Sequence, residues 1–397
     1  MQSFNITIYQ KFKNMNRSKI STLLFLSIFL FSAYNLKAQY DDKKEDKLSF
    51  TVENPYQTVH VNPVKGKKVK NVILMIGDGM GLNQISMAWV ANHGKLNLDN
   101  FKQTGLSRTY AANKLITDSG AAGTAMATGK KTNYHSVGVD VNGNPLPSLT
   151  DLAHEKGLST AIVVTCGLTD ATPATFCANN ADRDLEEEIA ANFLDCNVDF
   201  LFGGGRDKFT KRRDGRNLMD EMELKGYHST KTWDETKSIS SGKVFAVIED
   251  GQLPYAGERG DIWQQASMRA IDFVSQNKKG FFAMLEGSRI DDCGHFHDVP
   301  SLMGEIFDFD KTIGKVIQWA EKDGQTLVIV LADHETGGLT LLDGDIQKGN
   351  VEGNYSTGGH SGIIIPVFAY GPQADKFVGV YENTEVFSKI AEILKLK

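Results

Sequence analysis

The sequence has no excess of positive charge, few cysteines and no apolar run long enough to span a membrane. Its 397 residues contain 43 lysines and arginines against 49 aspartates and glutamates, a formal net charge of −6. An acidic chain is a poor candidate for wrapping nucleic acid, so no nucleic-acid partner is expected. It has neither an internal repeat nor a low-complexity domain. Its hydrophobic and charged contents, 41% and 23%, are those of an ordinary globular protein, and its length allows one large α/β domain or two domains.

The N-terminus is typical of a secretory signal peptide. Basic residues between Lys11 and Lys19 precede an apolar run at 20–33, and the small residue Ala38 lies before Gln39. The run is short for a membrane span of about 20 residues, and no cysteine follows it to carry a lipid. We therefore predict a signal peptide at residues 1–38, a periplasmic or extracellular protein, and no stable membrane insertion. Without these residues, five basic and no acidic side chains are lost and the charge changes from −6 to −11.

The four cysteines allow at most two disulfides, with three pairings left open. They are Cys166, Cys177, Cys196 and Cys293. Because Cys293 lies in a ligand-rich stretch, it could instead be a free thiol or a metal ligand.

Short apolar runs alternate with segments of helical character. The apolar runs are 72–76, 160–165, 281–285, 326–332 and 363–370, and the helical segments include 149–156, 186–194, 262–276 and 302–322. This alternation favours a largely parallel sheet with helices on both faces. The predicted fold class is therefore α/β, a three-layer sandwich with a largely parallel central sheet.

Several of these apolar runs end in residues that bind metals. Asp78, Glu286, Asp333 and His334 follow such runs, and Asp170 and Thr172 lie a few residues beyond another. Ligands bind outside the carboxyl ends of the strands in such sheets, so these side chains are expected at one edge. A single aspartate there is more often a helix cap, but chance convergence of several is much less common.

The residue types suggest two kinds of metal. Asp291 and His295 are one helical turn apart, and His360 lies between glycines before a strand. Aspartate and histidine without cysteine suit Zn²⁺ or another borderline ion. Glu286, Thr172 and Asp78 are hard oxygen donors, which suit Mg²⁺.

Two further residues have both a structural and a functional interpretation. Ser119 follows Asp118 and opens a run of small residues, so a helix starting there would offer an anion pocket with a hydroxyl beside it. Taken alone, the run is better explained as a capped helix packed against a neighbour. Arg183 is either an exposed residue paired with its chain neighbours or a planar fork that grips two phosphate oxygens.

These stretches resemble the metal-dependent serine alkaline phosphatases, in the order of that family, from about Val72 to Tyr370. The matching motifs are Ile76–Gly81, Thr117–Ser119 with the small residues after it, Asp170–Ala174, Arg183, Glu286–Asp291 with His295, Asp333–His334 and Gly359–Gly362. The resemblance implies that Ser119 is the nucleophile and that Arg183 clamps the phosphate. It also implies three cation sites: Asp78, Asp333 and His334 for one zinc; Asp291, His295 and His360 for a second; and Asp78, Thr172 and Glu286 for Mg²⁺, which Asp170 reaches through water.

The resemblance further implies hydrolysis of small phosphate monoesters through a phosphoserine at alkaline pH, and it leaves room for a homodimer. In this interpretation, residues 39–70 are a polar N-terminal segment and 71–397 a single catalytic domain with a short insert at about 335–359. Many relatives carry a larger subdomain there for dimer contacts. Asp292 replaces the lysine or histidine that many relatives carry near the phosphate, so weaker phosphate binding and easier product release are expected.

Three alternatives have distinct signatures. A sulfatase needs a C/S-x-P-x-R pattern, whereas Ser119 is followed by Gly-Ala-Ala. A phosphodiesterase of the same superfamily more often has threonine as its nucleophile and lacks the Mg²⁺ ligands with an arginine clamp. A secreted protein in which metals only brace the fold leaves Ser119 and Arg183 without a role.

Overall fold

The computed structural model describes residues 48–64, 66 and 68–396. The predicted signal peptide and the first part of the polar segment 39–70 lie outside these residues. Within the described part of the chain, none of the helices combines the length and apolar character needed to cross a membrane.

The described residues form fifteen β-strands. They are β1 (Leu48–Thr51), β2 (Asn71–Gly77), β3 (Gln103–Arg108), β4 (Ser159–Gly167), β5 (Phe200–Gly204), β6 (Tyr227–Thr230), β7 (Lys243–Val247), β8 (Phe281–Gly287), β9 (Thr326–Leu331), β10 (Glu335–Thr336), β11 (Leu339–Asp345), β12 (Asn350–Tyr355), β13 (His360–Ser361), β14 (Ile365–Tyr370) and β15 (Gly379–Glu382).

Thirteen α-helices lie in the same part of the chain. They are α1 (Leu82–Ala91), α2 (Ser119–Thr128), α3 (Leu149–Glu155), α4 (Ala171–Ala174), α5 (Glu186–Asn192), α6 (Arg206–Thr210), α7 (Leu218–Leu224), α8 (Trp233–Thr236), α9 (Ala256–Arg259), α10 (Ile262–Val274), α11 (Arg289–Phe296), α12 (Val299–Asp323) and α13 (Thr384–Leu394).

A ten-stranded sheet with the order β15-β3-β14-β9-β2-β8-β4-β5-β7-β6 lies at the centre. All of its neighbouring strands pair in parallel except at β14, which is antiparallel to both β3 and β9. The sheet confirms the predicted α/β class with a largely parallel centre.

Helices cover both faces of this sheet because its central strands are apolar on both sides. Every residue of β2, β8 and β9 is buried. Alternate residues of β2 enter different cores: Val72, Leu74 and Ile76 pack with α2, α3, α5 and α13, whereas Ile73 and Met75 pack with α1, α10 and α12. The result is the predicted three-layer arrangement.

Helix α13 packs on α2, the helix that begins with Ser119. Val386, Phe387 and Ile390 of α13 are buried in the same core as Met126 of α2. The contact at the end of α2 is close, since a Cβ placed on Gly129 would lie 2.5 Å from the ring of Phe387. The last helix of the described chain therefore supports the segment predicted to carry the nucleophile.

Two smaller sheets lie outside the central one. Strand β1, within the polar segment 39–70, pairs with β12, and β12 pairs with β11. The predicted insert at 335–359 thus contains β10, β11 and β12, and β10 pairs with β13. The polar N-terminal segment and the insert are parts of one small sheet, which the sequence patterns did not predict.

One disulfide joins Cys177 and Cys196, and Cys166 and Cys293 are free and buried. Of the disulfides that the sequence allowed, the structure contains the one between Cys177 and Cys196.

Candidate active site

Helix α2 places Ser119 at its first position, with the side chain buried. Asp118 caps the helix: its carboxylate accepts hydrogen bonds from the backbone N–H of Gly120 at 3.3 Å and of Ala121 at 3.2 Å. The glycines allow close packing, because a Cβ on Gly123 would lie 2.9 Å from the Thr175 hydroxyl. The helix is thus the tightly packed, capped helix of the structural interpretation, and it also begins with the predicted nucleophile.

The first predicted zinc group, Asp78, Asp333 and His334, is brought together at the ends of β2 and β9. One donor atom of each residue lies within 4.8 Å of the others, and all three are buried. The His334 Nε2 lies 3.1 Å from Asp333 Oδ2, 3.5 Å from Asp78 Oδ1 and 3.2 Å from the Ser119 Oγ. The serine hydroxyl therefore faces this group directly.

The second predicted group, Asp291, His295 and His360, is also brought together within 4.8 Å. The His295 Nδ1 donates to the Gly358 carbonyl and the His360 Nδ1 to the Thr117 carbonyl, each at 2.8 Å. Each neutral ring therefore keeps the lone pair on Nε2, and the two Nε2 atoms are 3.2 Å apart. Nitrogen lone pairs fixed in this way are typical of metal-binding histidines.

Thr336, which the sequence analysis missed, connects the two groups. Its hydroxyl donates to Asp291 and lies 3.2 Å from the His334 Nδ1, from which it can accept. The His334 and His360 rings stack with their centroids 3.5 Å apart. The only signal for Thr336 in the sequence is its place two residues after His334 in β10.

If the two groups bind zinc as the sequence predicts, replacing Thr336 by valine is expected to weaken that binding by about 10- to 100-fold, because Asp291 loses a donor and His334 an acceptor. Competition with a chromophoric chelator measures this affinity. Thr336→Ser, which keeps the hydroxyl, is the matched control and is expected to bind nearly as well as the original protein. Equal affinities for the valine and serine variants would show that the hydroxyl does not position the ligands.

The predicted magnesium ligands leave buried oxygens without hydrogen bonds. These atoms are Asp78 Oδ1, Thr172 Oγ1 and Glu286 Oε1. Burial and the nearby charges of Asp333 and Asp291 raise the pKa of Asp78 well above its usual range, and burial and Asp170 raise the pKa of Glu286 to about 8. Buried, unsatisfied carboxylates are costly unless positive charge compensates them, so the residues present fit a bound cation.

Cys166 lies beside Glu286. Its Sγ is 3.7 Å from the Glu286 Oε2, and burial together with Glu286 and Asp170 raises the pKa of the thiol. Cys293 lies in the opposite core, and neither of the two free cysteines belongs to the histidine-containing groups.

The guanidinium of Arg183 is held between two aspartates and not by its chain neighbours. Its Nη1 donates to Asp118 at 3.0 Å and its Nη2 to Asp170 at 3.1 Å. Burial alone would raise the pKa of Asp118, but Arg183 and backbone donors outweigh burial and lower it. Asp118 therefore fixes both the start of α2 and the orientation of Arg183. Asp170 also caps α4, the helix that contains Thr172.

Asp292 is paired within its own helix. The Nε of Arg289 donates to it at 2.9 Å, and burial raises the pKa of its carboxyl. The acidic residue at this position is thus partly neutralised by a neighbouring cation.

Comparison with known proteins identifies the family that the chain resembles in sequence. The family model for alkaline phosphatase matches residues 69–352 and 345–396. Alkaline phosphatase 4 of Bacillus subtilis is 32% identical, with 83% of this chain and 89% of the relative covered. The alkaline phosphatase of Escherichia coli is 29% identical, with 83% and 87% covered.

Solved structures give the same result. The alkaline phosphatase of the Antarctic bacterium TAB5 superposes with a TM-score of 0.79 at 38% identity, covering 83% of this chain and all of that one (100%). The Thermus thermophilus alkaline phosphatase, at 22% identity, shares the fold with a TM-score of 0.77, covering 84% and 93%.

Proposed function

Because the chain belongs to the alkaline phosphatase family, whose members are phosphoric monoester hydrolases, we propose that it hydrolyses phosphate monoesters through a phosphoserine on Ser119. One observation carries the proposal: the Ser119 Oγ lies 3.2 Å from His334, a member of the Asp78, Asp333 and His334 group, and Arg183 is anchored to the residue that caps the same helix. The residues that we propose as nucleophile, cation ligands and phosphate clamp therefore meet at one edge of the sheet.

The proposed cofactors are two zinc ions and one magnesium ion. Asp78, Asp333 and His334 would hold one zinc, and Asp291, His295 and His360 the other. Asp78, Thr172 and Glu286 would hold magnesium, with Asp170 reaching it through water. A mutant of the TAB5 enzyme binds magnesium at its M3 site, which supports a third cation. Such ions would lower the pKa of the serine hydroxyl and of water bound to them, and they would offset the negative charge of the phosphate group.

The protein's own residues then have separate roles. Ser119 attacks phosphorus, a bond from its Oγ to phosphorus forms, and the bond from phosphorus to the ester oxygen breaks, so that the alcohol leaves with a proton. Water then hydrolyses the phosphoserine and restores the hydroxyl. Arg183, fixed by Asp118 and Asp170, offers its remaining N–H groups to two phosphate oxygens. Since the carboxylates hold it in one geometry, little side-chain entropy is lost on binding.

Metal binding to the metal-free protein is expected to strengthen as the pH rises from about 7 to 9. The pKa of Glu286 is raised to about 8 by burial, and that of His295 to about 9 by its hydrogen bond to Asp291. Both groups are protonated below these values and must lose the proton to bind a cation, so binding competes with protons. Burial lowers the pKa of His360 to about 4, so His360 adds no dependence in this range.

Calorimetric titration with zinc and then with magnesium, in buffers of different ionisation enthalpy, measures the protons released at His295 and at Glu286 respectively. Release that decreases toward pH 9, together with rising affinity, is the expected result. An affinity that stays constant between pH 7 and 9 would contradict it.

The Asp292→Lys variant is expected to be inhibited more strongly by phosphate, with an inhibition constant lower by about tenfold, because a negative charge near the site becomes positive. Steady-state inhibition by inorganic phosphate gives this constant. The Asp292→Asn variant removes the negative charge without adding a positive one. Its inhibition constant should lie between those of the original protein and of Asp292→Lys. Unchanged inhibition in Asp292→Lys would refute the role given to this position.

The proposed function is tested by comparing p-nitrophenyl phosphate with bis-p-nitrophenyl phosphate over a range of pH. Monoester turnover that exceeds diester turnover and rises with pH is expected. A preference for the diester would favour the phosphodiesterase alternative. No turnover of either ester with zinc and magnesium supplied would favour a protein in which metals only brace the fold.

We also propose that the protein is exported through a signal peptide at residues 1–38. The proposed assembly is a monomer or a homodimer. The leader pattern in the sequence is the support for export. N-terminal sequencing of the mature protein tests it, with Gln39 as the expected first residue. Sedimentation analysis decides the assembly.

A further inference from the structure

Glu335 is a buried carboxylate beside the two zinc groups and belongs to neither of them. It is the first residue of β10, it directly follows Asp333 and His334, and it is 2% exposed. The packing around it is close, since a Cβ placed on Gly81 would clash with the Glu335 Cγ. A buried carboxylate is costly unless hydrogen-bond donors or a cation compensate it, so its partners show what it is for.

Four uncharged donors from three segments of the chain bind this carboxylate. Its Oε1 accepts from the Gln84 Nε2 of α1 at 2.7 Å and from the backbone N–H of Leu339 at 3.0 Å. Its Oε2 accepts from the backbone N–H of Gly338 at 3.2 Å and from the Ser361 hydroxyl of β13. Hydrogen bonds to an ionised acceptor are stronger than neutral ones. The side chain therefore joins α1, the turn before β11 and β13 at one point.

The bond to Ser361 lies where the two zinc groups meet. Strands β10 and β13 have two residues each, and they pair Glu335 with Ser361 and Thr336 with His360. His334 of the first group directly precedes β10, and His360 of the second group lies in β13. The two imidazole rings stack with their centroids 3.5 Å apart. Such short strands contribute few backbone hydrogen bonds, so a side-chain bond between them weighs heavily in holding them together.

Resting on the two proposed zinc sites, we propose that Glu335 is a positioning residue that holds His360 against His334 through the Ser361 hydroxyl. It thereby assembles the second zinc group beside the first without binding a cation itself. Residues that orient metal ligands in this way affect metal affinity although they do not touch the metal.

A carboxylate is needed at this position because both of its oxygens accept two hydrogen bonds. A glutamine has nearly the same shape, but it offers one oxygen and would turn an NH₂ group toward two donors. Glu335→Gln therefore tests the acceptor and not the volume. Ser361→Ala removes the contact with β13 alone and leaves the other three donors in place.

The test titrates the full-length protein with zinc against a chromophoric chelator, with magnesium supplied, and determines the two zinc dissociation constants. Ser361→Ala should raise one of them by about 10- to 100-fold and leave the other within a few fold. Glu335→Gln should raise the same constant at least as much. Ser356→Ala is the matched control, because the Ser356 hydroxyl donates to the Gly338 carbonyl of the same turn and not to Glu335. It should change neither constant.

A second comparison uses His360→Ala, which removes a ligand of the second group only. Adding Ser361→Ala to this variant should leave the remaining zinc constant unchanged, because the proposed effect of Ser361 passes through His360. A general loosening of the fold would weaken the remaining zinc as well. The Tm of each metal-free variant, measured alongside, reports the effect on the fold itself.

The proposal is overturned if Ser361→Ala and Glu335→Gln keep both zinc constants of the original protein, even when they lower the metal-free Tm. It is also overturned if Ser361→Ala weakens both zinc ions equally or weakens the zinc that remains in His360→Ala. If Glu335→Gln does not fold, Ser361→Ala decides alone. These constants do not depend on ester hydrolysis. A protein that binds two zinc ions and hydrolyses no ester would refute the proposed function and not this inference.

Discussion

Replacing Ser119 by alanine is expected to lower kcat for p-nitrophenyl phosphate by at least about a thousandfold, because the change removes the atom that attacks phosphorus and leaves the cation ligands in place. Steady-state kinetics measures the loss. Acid quenching of the reaction with a substrate that carries radioactive phosphate measures the covalent phosphoenzyme. This species should be present in the original protein and absent in the variant. The substitution removes a single oxygen atom, and circular dichroism verifies that the variant keeps its fold.

Ser136→Ala is the matched control for this experiment. Ser136 is buried close to the start of α2, but its hydroxyl donates to the Ala181 carbonyl and not to a histidine. Its replacement should change kcat by no more than a few fold. A labelled phosphoenzyme that persists in Ser119→Ala would place the covalent step on another residue, and near-normal turnover would remove the serine from the mechanism.

Removing the metals is expected to abolish monoester turnover and to lower the stability of the fold. Without cations, Asp78, Asp333, Asp291 and Glu286 remain close to one another, and burial together with the charges of the other three raises the pKa of Asp78. A ligand that binds only the folded state stabilises it by about 4 kcal/mol at a free concentration a thousand times its Kd. Each bound ion can therefore contribute several degrees to Tm.

Scanning calorimetry and turnover, before and after chelation, measure both effects. Dialysis followed by zinc and magnesium should restore activity and Tm together, whereas chelator saturated with metal beforehand should change neither. Activity that survives complete removal of zinc, verified by elemental analysis, would rule out the proposed role of the two histidine-containing groups.

The buried strands could be predicted from the sequence because each is a compact apolar run that stops abruptly. Strands β2, β8 and β9 end at a glycine or just before a buried aspartate, and all their residues are buried. Strand β3 could not be predicted, because its sequence QTGLSR has one large apolar residue and its burial alternates. Its place in the sheet comes from pairing with β14 and β15, which are distant in sequence.

The members of the candidate site were predictable, but their supporting contacts were not. Strand ends and motifs indicated Asp78, Asp333 and Glu286. No local pattern indicated that Asp118 would hold Arg183, since the pair is 65 residues apart. Thr336 likewise acts on Asp291 across 45 residues. Such contacts depend on how the elements pack, and a single sequence does not encode the packing in a local pattern.

The packing of α13 on α2 has a consequence for the order in which a functional enzyme arises from the growing chain. Every proposed cation ligand precedes residue 361, so a chain terminated soon after His360 would contain the nucleophile, the arginine and all nine ligands. It would still lack β14, which lies inside the central sheet, and the hydrophobic cover over the helix that starts with Ser119. Catalytic competence is therefore expected only once β14 has entered the sheet and α13 has docked on α2.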